Sequence, residues 1–378
     1  MAAQSDPASL TPPPAPTGGL ALRIAALIAV LLGFFLGLDL LGQAFGLFGK
    51  GFAAMLVERT SNPFVGLFVG ILGTTLVQSS STTTSLTVAL VAADALTVQG
   101  AIPIIMGANI GTSVTNSLVS LGHVTRRGEF ERAFAGATIH DLFNLLTVAI
   151  LLPLEIVTGY LARSSVFIAS GIAEVGGLNL LDPVKLIIRP IAGWLIDLLG
   201  RSPLLTLILA LALLFAALKL LVDLLKALMA GRAERVLHET LFRSPAAAIT
   251  AGLVMTVMVQ SSSITTSVMV PLVAAGLVTL PQAFPFTVGA NLGTTVTALI
   301  AALSTGSLAS VTVACSHMLF NVTGMLIVYV PPPMRAIPLA LARALGRLTM
   351  RNRMFAVAYV GLVFFVLPFL LIVLSGAW

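Results

Sequence analysis

Residues 76–86 read LVQSSSTTTSL and residues 258–268 read MVQSSSITTSV, and no other feature of the chain constrains its fold as tightly. Downstream, GANIGTSVTN (107–116) is matched by GANLGTTVTA (289–298). Gln260 follows Gln78 by 182 residues and Asn291 follows Asn109 by the same 182, so the two motifs keep one spacing in both copies. A third pair, HDLFN (140–144) and HMLFN (317–321), is offset by 177. The five missing residues fall where the first copy carries the charged loop Thr125–Arg132. Each copy is expected to end at prolines, Pro153 in one and Pro331–Pro333 in the other. Three matched motifs in one order mean that a single unit has been duplicated.

The solvent for that unit is lipid. The 378 residues are 58% hydrophobic and 9% charged, with a mean hydropathy of +1.06, whereas a soluble domain carries about a quarter charged residues. Five apolar stretches reach the roughly 20 residues that a bilayer-crossing helix needs: Leu20–Phe48, Phe134–Leu154, Leu204–Met229, Val311–Val330 and Phe355–Leu374. Others are interrupted by Gly, Pro and hydroxyl residues. The expected fold is an all-α polytopic protein of the cell membrane, plasma or inner, built from two repeats. Each repeat carries the QSSS motif on a re-entrant hairpin or broken helix. Inversion of one copy relative to the other is expected from the architecture of secondary transporters; a duplicated structural bundle is the alternative.

Along the chain the expected order is a disordered Pro-, Ala- and Ser-rich tail (1–19), then a first transmembrane helix and loop (20–60). Repeat 1 (61–158) follows, then a connector with an amphipathic segment and one transmembrane helix (159–243), and repeat 2 (244–333). A basic interfacial segment (334–354) and a C-terminal transmembrane helix (355–378) close the chain. The net charge of +6 arises from Arg126, Arg127 and Arg132, from Lys219 to Arg243, and from Arg335, Arg343, Arg347, Arg351 and Arg353. Read as short loops, these are juxtamembrane segments facing the cytoplasm or anionic headgroups, not a nucleic-acid footprint. The single cysteine, Cys315, allows no disulfide within the chain.

Gln-Ser-Ser-Ser at membrane depth is the chemically informative element. Four consecutive polar side chains cannot share one helical face, and each unsatisfied polar group in hydrocarbon is costly. Such a run is tolerable at the turn of a hairpin lining an enclosed cavity. The Thr-rich sequence after it then opens a helix whose free N–H groups and positive dipole end face that cavity. Hydroxyls with helix N-terminal amides suit phosphate or sulfate, which makes Gln78, Ser79, Ser80 and Ser81 with Gln260, Ser261, Ser262 and Ser263 the candidate anion site. Formal charge is scarce: Ala246–Met334 contains no Asp, Glu, Lys or Arg, and Ser61–Val124 contains only Asp94. The second motif offers neutral oxygen ligands for a small cation such as sodium: Asn109, Thr112 and Thr115, and Asn291, Thr294 and Thr297. Its paired glycines are read as positions where the backbone opens and exposes carbonyls. A cation beside a dianion offsets the desolvation that otherwise excludes the anion.

Blander readings stand beside these. Ser and Thr in membrane helices commonly hydrogen-bond across helix contacts. His140, Asp141 and Asn144, with His317 and Asn321, are equally a buried structural network or an ion-handling group, and Asp94 reads as a structural residue at a hairpin end near water. No metal cluster, nucleophile–base pair or phosphate-binding loop appears in the sequence. No enzyme activity and no cofactor are expected, and transport would draw on an ion gradient.

The paired QSSS and GANIGT motifs, together with AFAGATIHDLFN (133–144), resemble the type II sodium-dependent phosphate cotransporters over roughly residues 60–160 and 204–378. The resemblance implies a symporter that couples inward sodium flow to inorganic phosphate uptake by alternating access, with the two QSSS runs as substrate site and the second motif contacting sodium. Sulfate, arsenate or a small organic anion is the alternative solute, and a phosphate-binding membrane sensor the alternative class. Animal members carry a large, glycosylated, disulfide-bonded loop between the halves. Here that region is short and without cysteine. Some bacterial relatives add a soluble C-terminal helical domain; this chain, stopping at Trp378, looks like a minimal bacterial-type member.

Overall fold

The computed structural model describes residues 20–176, 182–229 and 244–374. The expected disordered tail and most of the basic run from Lys219 to Arg243 lie outside those residues. Every regular element among the described residues is helical. In order these are α1 (Leu20–Phe48), α2 (Lys50–Thr60), α3 (Pro63–Val77), α4 (Ser80–Ala92), α5 (Val98–Gly111), α6 (Val114–Ser120), α7 (Arg127–Thr158), α8 (Tyr160–Glu174) and α9 (Asp182–Leu198). They continue as α10 (Pro203–Met229), α11 (Pro245–Val259), α12 (Ser262–Ser267), α13 (Met269–Ala274), α14 (Leu280–Thr305), α15 (Leu308–Gly324), α16 (Pro332–Arg351), α17 (Met354–Gly361) and α18 (Leu367–Leu374). Single π-helical turns, Met325–Tyr329 and Leu362–Val366, extend α15 and join α17 to α18.

Seven helical spans among the described residues are long and apolar enough to cross a membrane, so the chain is a multi-pass membrane protein. Five correspond to the apolar stretches read from sequence. The other two, Val98–His123 and Leu280–Thr305, carry the GANxGT motifs. Residues 50–60, expected as loop, are the helix α2, and α8 is a further helix in the connector. Pro153 does not end the first copy's helix. α7 runs through it to Thr158, as membrane helices allow when neighbouring groups satisfy the freed backbone.

The duplication reaches into the helix caps. Asn62 and Ser244, 182 residues apart, cap α3 and α11 by accepting from the N–H groups of Phe64 and Ala247, each followed by a proline at the first helical position. Ser79 and Ser261 cap α4 and α12 in the same way. Thr97 accepts from Gly100 at the start of α5, and Thr279 at the start of α14 is held by Gln282. One substitution makes the copies' helices differ here: Pro271 stands where the first copy has Ala89. Lacking an N–H, Pro271 cannot close the helical bond to Ser267, and the second copy breaks there into α12 and α13.

The motif glycines also bring helices together. α3 lies against α5, and α11 against α14, in backbone contact. A Cβ on Gly70 would stand 1.9 Å from the Ile104 carbonyl oxygen, and one on Gly107 2.0 Å from that of Leu67. In the second copy the same distances are 2.1 Å (Gly252 to Phe286) and 1.9 Å (Gly289 to Ile249). α14 continues unbroken through Gly289 and Gly293. In the second copy the glycines therefore permit close helix approach without unwinding; in the first, the helix ends at Gly111 and the ladder opens just beyond it. α1 and α10 pack antiparallel at one side of the bundle, with Gly37 against Leu214 and Gly33 near Ala217. α16 lies along the start of α7.

Candidate functional site

Both QSSS runs form the same turn. Gln78 ends α3 at φ 59° and Gln260 ends α11 at φ 54°, both left-handed. That conformation costs a non-glycine residue about 1–2 kcal/mol, so a side chain kept there in both copies has a use. Each glutamine amide nitrogen donates to a carbonyl three residues back, Thr75 or Val257, at 2.5 Å. Each amide oxygen accepts a threonine hydroxyl from the second motif, Thr115 at 2.7 Å and Thr297 at 2.5 Å. The glutamine locks its own turn and ties it to the neighbouring helix. The serine that follows caps the next helix, whose first N–H groups point back toward the turn.

The two turns meet. The Ser81 hydroxyl donates to the carbonyl oxygen of Gln260 at 3.3 Å, and Thr266 donates to Asn116 Oδ1 at 3.0 Å. Between them opens a cavity of about 400 Å³ lined by Gln78, Ser79, Ser81, Thr82, Gln260 and Ser261, with Phe215, Leu218 and Lys219 of α10 on its far wall. Five of the eight candidate anion residues thus share one wall. Ser80, Ser262 and Ser263 are buried and do not line it. Lys219 is the ionisable side chain on the wall. Grouping it with a basic loop was incorrect, because it belongs to α10. The available signal was the first charge after 16 uncharged residues of an apolar helix, at membrane depth, where an ionisable residue by default marks a functional position.

Of the candidate cation residues, Asn109, Thr112, Asn291 and Thr294 are buried around a second polar group, while half-buried Thr115 and buried Thr297 bond the glutamines. In the first copy the ladder opens at Thr112–Ser113: the Ser113 N–H bonds Ile110, leaving the Asn109 carbonyl to accept from Asn144 Nδ2 at 2.8 Å. Asn144 Oδ1 accepts from Asn291 Nδ2 at 2.7 Å. Asn291 Oδ1 lies 2.5 Å from His140 Nε2, and an amide oxygen can only accept, so Nε2 carries the proton. Asn144 therefore joins Asn109 of one copy to Asn291 of the other. Thr112 and Thr294 donate to backbone carbonyls of Ala108 and Asn291 and keep their lone pairs. Asp141 accepts from the hydroxyl of Tyr359 on α17. The third motif of the second copy is less engaged: neither ring nitrogen of buried His317 has a partner among the described residues. Asp94 sits exposed at φ 55° in the turn after α4, where the second copy has Gly276 at φ 76°.

The family profile described as Na+/Pi-cotransporter matches residues 33–173 and 213–374, both copies included. The chain belongs to that family. Among curated Na+/Pi-cotransporter relatives, sodium-dependent phosphate transport protein 2A of Ovis aries is 36% identical, the alignment covering 94% of this chain and 68% of the relative. Protein 2B of Homo sapiens is 34% identical with coverage of 94% and 65%, and protein 2A of Rattus norvegicus 35% with 96% and 69%. The chain spans about two thirds of the length of these relatives. No solved structure matches.

Proposed function

We propose that this chain is a secondary active symporter that uses sodium flow to take up inorganic phosphate. The relatives are named as sodium-dependent phosphate transporters, and the family covers both copies of the repeat. The observation that carries the assignment of the site is the Ser81–Gln260 bond across the copies, which makes one cavity of two duplicated turns. In it, phosphate is held by hydroxyls of Ser79 and Ser261 and by the first-turn N–H groups of α4 and α12, and the Ser81 hydroxyl turns from the Gln260 carbonyl to the anion as it enters. Gln78 and Gln260 fix the shape. Ser80, Ser262 and Ser263 support the turns from behind.

Sodium is bound among Asn109, Thr112, Asn291 and Thr294, where Asn144 joins the two asparagines and the threonine hydroxyls keep lone pairs. Thr115 and Thr297 connect the cation cluster to the anion turns through the glutamines. Occupying one therefore restrains the other, which is coupling in physical form. The α3–α4 and α11–α13 pairs act as re-entrant hairpins. The two repeats are inverted, and transport proceeds by alternating access about the shared cavity. Lys219 adds one positive charge at the wall and draws in the anion.

Uptake of radiolabelled phosphate into proteoliposomes tests this reading. Accumulation is expected with an inward sodium gradient and not with potassium, and excess arsenate or sulfate is expected to compete no better than phosphate itself. Preferential inhibition by sulfate would change the solute. Binding without accumulation would make the protein a sensor.

A further inference from the structure

Away from the QSSS turns, the far ends of the two hairpins close in one pattern. The N–H groups of Ala275, Gly276 and Leu277 close the end of α13, and those of Ala93, Asp94 and Ala95, 182 residues earlier, close the end of α4 on the matching carbonyls. What holds each end is different. The Ser310 hydroxyl of α15 donates to the Val88 carbonyl of α4 at 3.0 Å. Arg132 of α7 donates from Nε, at 2.8 Å, to the carbonyl of Ala274, the last residue of α13. Each hairpin is thus held by the third-motif helix of the other copy, one through a neutral hydroxyl and one through a guanidinium.

The two holds carry unequal loads. α4 is a single helix of 13 residues from its turn to its far end. Its counterpart is two pieces of six residues each, because Pro271 has no N–H to bond Ser267. A six-residue helix is not stable on its own ladder. α13 rests instead on α7, where Val270 and Ala274 pack with Ala133 and Ala137. A Cβ on Gly136 would stand 3.1 Å from Val273, so the two backbones lie close. A cationic donor at the last carbonyl satisfies an acceptor left by the helix end and opposes the negative end of its dipole.

We propose that Arg132 is a positioning residue for the second anion turn. Its bond to Ala274 holds α13 against α7 in place of the helical bond that Pro271 removes, and α13 in turn backs α12 and the Ser261 turn. The hold on α13 is independent of what is carried; its effect on phosphate rests on the symport reading.

The test joins two measurements on the full chain: initial rates of phosphate uptake into proteoliposomes, and backbone hydrogen–deuterium exchange at 272–278 in detergent. Arg132→Met is expected to raise half-saturating phosphate about fivefold, the effect of an exposed charge, with kcat kept, and to speed exchange at 272–278. Arg132→Lys should recover most of both, since an ammonium also serves a helix C-terminus. Pro271→Ala decides the mechanism. Pro271 is exposed, so the change removes no packing, and the restored N–H can join α12 to α13 as in α4. In that background Arg132→Met should move neither readout. Should Arg132→Met alone melt early, Pro271→Ala should restore its melting point. Ser310→Ala is the matched control and should leave both readouts near wild type, because α4 is continuous. Unchanged half-saturation in Arg132→Met overturns the proposal, even with faster exchange, since Arg132 then supports the fold and not the turn. So does an effect of the same size in the Pro271→Ala background, or an equal loss in Ser310→Ala. If the wild-type chain accumulates no phosphate, the symport reading falls while exchange still decides the hold on α13.

Discussion

Replacing Thr297 by Val removes one hydroxyl, keeps nearly the same shape, and leaves Gln260 Oε1 without the donor now 2.5 Å away. A net hydrogen bond contributes about 0.5–1.5 kcal/mol, and an orphaned acceptor costs about 1–3 kcal/mol when buried. Gln260 is half-buried, so a loss of about 1–1.5 kcal/mol applies, a factor of roughly 5 to 12 in kcat/KM for phosphate. The structure makes a sharper statement about pairs. In a Gln260→Ala background the bond is already gone, so adding Thr297→Val should cost almost nothing more, a coupling of about 1 kcal/mol. Thr115→Val touches the other copy's glutamine and should add to Gln260→Ala to within about 0.5 kcal/mol. The assay is the initial rate of phosphate uptake into proteoliposomes for the three single variants and the two doubles, across phosphate at saturating sodium and across sodium at saturating phosphate. Full additivity of Thr297→Val with Gln260→Ala, with a raised sodium requirement in Thr297→Val alone, would refute the clamp and make the hydroxyl a direct cation ligand.

Three further outcomes are expected. Gly289→Ala places a Cβ 1.9 Å from the Ile249 carbonyl oxygen and should lower stability by about 3 kcal/mol or more, seen as early melting in fluorescence-detected gel filtration. Gly73→Ala, whose Cβ meets only Thr83 at 3.8 Å, should melt normally. Asn144→Ala strips the Asn109 carbonyl and the Asn291 amide of their shared partner, about 1–3 kcal/mol for each group; a normal melt with a normal sodium dependence would remove Asn144 from the account. Lys219→Gln should raise half-saturating phosphate about fivefold, the ~1 kcal/mol expected of an exposed charge, and flatten its salt dependence, with Lys219→Arg restoring both.

The two spans that carry the GANxGT motifs were the least visible in the sequence. The C-terminal span Met354–Leu374 has 22% of its central window buried, whereas Val98–His123 and Leu280–Thr305 have 78% and 72%. Helices shielded from lipid by their neighbours can carry Asn, Thr and Gly, and those residues dilute the hydropathy by which a span is read. The QSSS turns were legible because a polar run at membrane depth admits few geometries, and their repetition at one spacing made the pattern specific. The glycines were half legible, since a missing Cβ serves backbone opening and close helix approach alike: the first copy opens after Gly111, and the second runs unbroken through Gly289 and Gly293. Asn144 as a bridge between copies could not be read from a chain separation of 147 residues to Asn291. Lys219 was hidden by its proximity to a basic run.

The central claim is that one phosphate site is built from both copies and filled together with sodium. Its most direct test is a cryo-EM structure of the protein in sodium phosphate. The account predicts a tetrahedral density touching Ser79 or Ser81 and also Ser261, absent when potassium replaces sodium. Density confined to one copy's turn, or present equally in potassium, would contradict it.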